Sequence, residues 1–225
     1  MIENIKYLVL LTSFSFLISC GDQSVEDTTE TNIEEPAPAA TEPECSFTLG
    51  DDATSVYWTA FKHTAKLEVK GQMDSIVVTN TATATSVMDA LTGAQVQIFT
   101  SSINSKDEVR DKKLREIYFG SMSNTETIVG NLISSEGTGT EGTCTFSLTM
   151  NDFEQTVTGE YIVEDATVQI RFTIEPNQWG AQEAITKLGE ACAEKHTGED
   201  GETVFWPDVD LLIEVALTKD CPDAA

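Results

Sequence analysis

The chain has 225 residues, with 38 Asp plus Glu against 13 Lys plus Arg and a formal charge of −25 at neutral pH. That balance argues against nucleic acid and against anionic membrane surfaces as direct partners. Past an unusual N-terminal region, the remaining length suits one domain.

The run YLVLLTSFSFLI, Tyr7 to Ile18, is apolar but short. A spanning helix needs about 20 residues. A run of this size followed by small residues reads as a secretory signal. Leu17-Ile18-Ser19-Cys20 looks like a bacterial lipobox, in which the cysteine is diacylated and becomes the mature N-terminus. Two acyl chains hold a protein stably at a membrane. The expectation is a signal peptide over residues 1–19, a lipid-anchored acidic linker over 20–44 and a domain over 45–225. The linker carries acids, Thr, Pro and Ala and no Lys or Arg, so it has nothing to bury. These features place the protein in a bacterial cell envelope, tethered to the outer membrane on its periplasmic face or at the cell surface.

Within the domain the main signal is period-two alternation, which predicts β-strands. VYWTAFKH, residues 56 to 63, puts Val56, Trp58, Ala60 and Lys62 on one face and Tyr57, Thr59, Phe61 and His63 on the other. Further strands are predicted at 65–73 and 94–100. SVMDAL, residues 86 to 91, reads as a short helix. KDEVRDKKLREIYF, residues 106 to 119, reads as an amphipathic helix with Leu114, Ile117 and Tyr118 on one side. Strands follow at 127–133, 143–150, 156–163 and 167–175. In 143–150, Cys144, Phe146, Leu148 and Met150 share a face. Asn151-Asp152 and Glu164-Asp165 read as hairpin turns. WGAQEAITKLGEACAEK, residues 179 to 195, is a second amphipathic helix, and 208–218 is the last strand. The helices should lie across the sheet or its open end.

Seven or eight antiparallel strands with two or three short helices define an all-β chain with minor α, either a sandwich or a barrel. With Cys20 acylated, Cys45, Cys144, Cys192 and Cys221 remain. An even count in an oxidising compartment suggests two disulfides with three possible connectivities. Cys45 and Cys221 bracket the domain, and first and last strands are neighbours in a closed barrel. Cys144 and Cys192 each sit on an apolar face. The favoured pairs are Cys45–Cys221 and Cys144–Cys192.

The segment VQIFTSSINSKDEVRDKKLREIYF runs from an alternating strand through a Ser/Asn turn to Arg110-Asp111-x-x-Leu114 and then Phe119. Together with the aromatic strand carrying Trp58 and Lys62, it resembles the YceI-like, polyisoprenoid-binding, lipocalin-like family, in its bacterial lipoprotein variant. The likeness spans about Thr54 to Leu217. The chain departs from the commoner pattern at Asn151-Asp152-Phe153-Glu154, where many members have a Gly-Val-Thr-like hairpin.

The resemblance implies an antiparallel lipocalin-like β-barrel with an elongated apolar pore, whose ligand is an isoprenoid-like or other long-chain amphiphilic lipid. Trp58, Phe61, Phe99, Phe146, Leu148, Phe172 and Trp206 are the candidate pore-lining residues. Lys62 and His63 are candidates for the pore mouth, where a polar head would sit. Arg110-Asp111 reads as a brace for the loop-to-helix connection. The expected partners are a long-chain lipid and, through the anchor, a membrane. No metal or other cofactor is expected. Cys192-x-x-x-His196 has metal-ligand spacing, but the cysteines are better read as disulfides. No nucleophile elbow, HExxH helix or phosphate-cradling loop is present, so no enzyme activity is expected. The alternative is a disulfide-stapled structural or interaction barrel with a filled interior and no small ligand.

Overall fold

The structure, a computed structural model, describes residues 44–222, apart from the side chains of residues 51 and 52. The expected signal peptide, Cys20 and nearly all of the acidic linker fall outside these residues.

The described chain runs β1 (Ser46–Lys62), β2 (Leu67–Met73), β3 (Ile76–Thr79), α1 (Val87–Leu91), β4 (Gln95–Phe99) and β5 (Ile103–Asn104). It continues through α2 (Glu108–Lys113), β6 (Thr127–Gly137), β7 (Glu141–Met150), β8 (Phe153–Glu164), β9 (Thr167–Ile174), α3 (Gln182–His196) and β10 (Phe205–Asp220). The strands form one sheet in the order β3-β4-β6-β7-β8-β9-β10-β1-β2-β5. Every pairing is antiparallel. β2 and β3 are separated only by Asp74 and Ser75, yet stand near opposite ends of that order. The sheet satisfies both pairings by curling back on itself into a half-barrel, with its apolar face inside.

Local chemistry sets the strand boundaries. Asn151 and Asp152 both take positive φ, 52° and 61°, between paired Met150 and Phe153. A two-residue turn with that geometry matches strand twist, and Asn and Asp tolerate it. Asn151 also fixes the turn to its surroundings: its Oδ1 accepts from Ser123 N at 2.7 Å and its Nδ2 donates to Trp179 O at 2.8 Å. Ser86 caps α1, its Oγ accepting from Asp89 N at 3.1 Å.

The two ends of the half-barrel differ. At one end α1 buries Val87, Met88, Ala90 and Leu91 beside the start of β1. Cys144, Tyr161, Val168 and Ile170 fill the interior nearby, all 3% exposed or less. At the other end α2 and α3 cross the opening. Helix α2 runs into a π-helical turn, Leu114–Tyr118. The sequence reads one α-helix here; the π-helical turn packs against α3.

Cys45 and Cys221 form a disulfide that joins the start of β1 to the end of β10. The second expected bridge is not formed: Cys144 and Cys192 are both free. Cys144 points into the filled end, its Sγ 3.6 Å from Gly159 O. Cys192 lies on α3 at the opposite end, its Sγ 3.7 Å from Lys113 Nζ. Cys144 is buried and Cys192 is half-buried beside Lys113, at opposite ends of the half-barrel.

Candidate functional site: an apolar cavity and its mouth

The inward face of the sheet encloses a cavity of about 240 Å³ between the filled end and the crossing helices. Strand β1 shows how parity builds it. Val56, Trp58 and Ala60 point inward, and pairing with β2 is continuous from Val56 to Lys62. Lys62 ends the strand with the same parity but does not line the cavity. Phe61, of opposite parity, also reaches the wall. The reason lies at the strand end. Ala60 pairs with Val209 and Lys62 with Phe205, so four steps along β10 answer two along β1. The irregularity holds Trp206, Pro207 and Asp208. Proline has no N–H to give to a ladder, so it is suited to this break.

Leu211 of β10, the strand partner of Trp58, and Phe172 of β9, the partner of Leu211, continue this wall, and Phe146 and Leu148 of β7 line the cavity further round the sheet. Phe146 and Phe172 stack with ring centroids 5.6 Å apart. Leu114, Tyr118, Ile185 and Leu188 close it from the helices. Phe172, Leu211, Leu114 and Ile185 are only half-buried although they face inward. Apolar side chains left partly uncovered inside a barrel mark open space, not a packed core.

Of the residues singled out from sequence, Trp58, Phe61, Phe146, Leu148, Phe172 and Trp206 lie on the cavity wall. Phe99 does not. Val96 and Ile98 of β4 face the cavity, so strict alternation turns Phe99 away. His63 is also not a lining residue. It takes a positive φ of 62° after β1, and its Nε2 lies 3.1 Å from Lys195 O, at the C-terminal end of α3. Its backbone carbonyl accepts from Trp206 Nε1 at 2.8 Å, which fixes that indole at the mouth. Lys66 Nζ sits 4.8 Å and 4.6 Å from the Phe61 and Trp206 ring centres and pairs with Asp208 at 2.7 Å. That hydrogen bond holds the Asp208 carboxyl below its ordinary range. Arg110 meets Asp107 at 3.3 Å, and buried Asp111 accepts from Ser105 N at 2.9 Å and 3.1 Å. The pair braces the connection into α2.

Two wall residues were not legible as site residues. Tyr118 projects from the π-helical turn, and burial pushes its phenol above the ordinary value. His196 ends α3 with its ring stacked on Phe205, centroids 3.9 Å apart and planes 16° apart. Burial lowers its pKa, and Lys62, His63 and Arg110 lower it further, against an opposing bond to Val204 O at 3.4 Å. At neutral pH the imidazole is therefore uncharged. The helical period of 106–119 and 179–195 was the available signal, but it marks an apolar stripe without saying that the stripe roofs a cavity.

This site is apolar throughout, with His196 and Tyr118 its ionisable members. Such a wall can hold an alkyl or prenyl chain and offers little to chemistry. Against known proteins, the sequence matches the model of the YceI-like domain over residues 39–216. The chain belongs to the YceI-like family. A comparison with curated proteins finds no match. Among solved structures, this YceI-like fold is similar to Burkholderia cenocepacia BcnA, at 10% identity and a TM-score of 0.52, over 76% of this chain and 99% of that one. A polyisoprenoid binding domain from Saccharophagus degradans gives 12% identity and a TM-score of 0.51, over 80% and 100%. The Campylobacter jejuni YCEI protein gives 14% and 0.52, over 71% and 90%. At these identities the likeness is one of fold.

Proposed function

We propose that this YceI-like protein binds a long-chain amphiphilic lipid, isoprenoid-like or fatty, with its apolar chain in the cavity. The observation that carries this reading is a cavity of about 240 Å³ walled by half-buried apolar side chains in a barrel whose other end is filled. It exceeds the ~150 Å³ that accommodates benzene. Each methylene moved from water into such a wall contributes about 0.8 kcal/mol. Ten of them give about 8 kcal/mol before ordering costs, the scale of micromolar affinity. A longer chain extends through the mouth. The polyisoprenoid binding domain of similar fold supports the ligand class by analogy.

The protein acts as a carrier or store, not an enzyme. Both histidines contact backbone carbonyls, and neither has a hydroxyl or thiol as hydrogen-bond partner among the described residues. The lipobox-like Cys20 and the acidic spacer support a tethered position in the envelope, outer membrane included, with the domain held off the surface.

The test is the native mass of the full chain with its disulfide intact, followed by solvent extraction and identification of what is released. A stoichiometric long-chain lipid supports the proposal. A clean apo mass, with no gain after incubation with prenyl and fatty amphiphiles, overturns it in favour of a barrel that serves a protein partner.

A further inference from the structure

Although the chain carries a charge of −25, several cations lie around the mouth, Lys62 and Arg110 among them close enough to act on His196. Most of them have a partner there. Lys66 pairs with Asp208 at 2.7 Å, Arg110 with Asp107 at 3.3 Å, and Lys113 Nζ donates to Ala191 O at 2.6 Å. Lys62 has no carboxylate and no hydrogen-bond acceptor among the described residues, although the sequence holds 38 acids. Lys62 does not line the cavity, but it ends β1 directly after Phe61, which does, and its strand partner Phe205 is also on the wall, so Lys62 stands beside the rim. The His196 ring lies on Phe205 at 3.9 Å. His196 lines the cavity and turns Nδ1 to Val204 O, which leaves Nε2 as its remaining hydrogen-bonding atom.

We propose that the mouth takes an acidic head group, a carboxylate or a phosphate ester, between Lys62 and His196 while the chain lies in the cavity. This rests on the lipid-binding reading above. An unpartnered ammonium beside an apolar wall gains most from a charge-assisted bond to an oxyanion. An alcohol head satisfies a ring nitrogen but leaves the lysine charge unmatched. The cations around His196 favour the same sign of ligand, since an anion relieves their mutual repulsion. A lysine merely snorkelling to solvent along its stem would show no preference among heads.

The test uses the full chain and three probes of one chain length: hexadecanoate, hexadecyl phosphate and hexadecanol, each titrated against tryptophan fluorescence. The expected result is that one or both acids bind at least about tenfold more tightly than the alcohol, and the stronger acid names the head group. Lys62→Met keeps the apolar stem and should erase that preference, bringing the acids to the affinity of hexadecanol in the same variant. His196→Gln should narrow the preference in part. Equal affinity for all three heads overturns the proposal and leaves the lipid-binding reading standing. A preference that survives in both variants also overturns it. Binding of none of the three removes the lipid-binding reading and this inference with it.

Discussion

The indole of Trp58 lies flat over Gly71, its strand partner across β1 and β2. A methyl group on Gly71 would overlap Cζ2 of Trp58 and stand 2.7 Å from the backbone oxygen of Asn104. The backbone there is ordinary extended strand, so the glycine is needed for space and not for conformation. Trp58 is 9% exposed, and its Nε1 has no hydrogen-bond partner among the described residues. The ring is thus held by shape alone. Gly71→Ala must displace either the indole or β5. Overpacking of this kind costs about 1–3 kcal/mol. A lowered thermal midpoint together with a shifted tryptophan emission is the expected result; an unchanged midpoint would mean the indole is free to move.

Gly130 presents the opposite case. It lies on the cavity wall, and a Cβ there would meet nothing closer than Leu148 Cδ1 at 3.7 Å. A side chain can therefore enter the cavity without strain. Gly130→Val replaces a poor strand former by a good one and fills space meant for ligand. The expected outcome is a melting temperature equal to or above that of the parent with lipid affinity down by about tenfold, the loss of about two methylene contacts. Undiminished affinity, measured by the same fluorescence titration, would show that the ligand lies elsewhere.

How far these features can be read from sequence depends on their range. The alternation of Cys144, Phe146, Leu148 and Met150 is local, and the inward face it defines is the one observed. The Asn151-Asp152 hairpin and the Ser86 cap are likewise local. β3 and β5, four and two residues long, are too short for any periodicity to show. The resemblance puts Phe99 among the pore candidates, whereas Val96 and Ile98 face the cavity and the intervening parity turns Phe99 away. The break at Trp206-Pro207 brings Phe61 to the wall against its own parity, and that depends on pairing with a strand some 145 residues away. His196 reaches the cavity only because α3 folds over the opening. Contacts of that range leave no local trace.

The free cysteines follow the same logic and can be checked directly. Cys144 is 1% exposed, and burial raises its thiol pKa to about 11. The thiolate is the reactive form. With the Cys45–Cys221 bridge intact, and Cys20 counted separately, native protein at pH 8 should take one alkyl group within residues 45–221, at Cys192, and a second at Cys144 only after unfolding. No labelling of Cys144 or Cys192 even in denaturant would restore the bridge between them.

Removing the Cys45–Cys221 bridge tests what the terminal strands contribute alone. The bond spans 176 residues of sequence. Chain entropy gives a loop of this order about 4–5 kcal/mol, and engineered values commonly fall lower. Ser46 and Asp220 still pair beside the bond, so the strands hold some of that order without it. The Cys45→Ala, Cys221→Ala double variant should lose about 2–4 kcal/mol in denaturant titration. Loss of cooperative unfolding would mean that the curled sheet depends on the bridge to stay closed.

His196 gives the domain a pH dependence of definite sign. Its imidazole pKa is lowered in the folded state, first by burial and then by Lys62, His63 and Arg110. In the unfolded chain it titrates near 6.5. As pH falls below that value, the unfolded state takes up a proton that the folded state refuses. The unfolded state then binds more protons, so stability falls with falling pH through this group. The contribution is complete above about pH 7 and is lost as pH drops toward the folded value. The carboxylates titrate lower and are common to both proteins, so the comparison that isolates His196 is between parent and His196→Gln. Denaturant midpoints at pH 7.5 and 5.5 should drop further for the parent than for the variant. An acidic ligand in the mouth should reduce that difference by favouring the imidazolium. Equal drops in parent and variant would mean that His196 is open to water and not held against Phe205 in the wall.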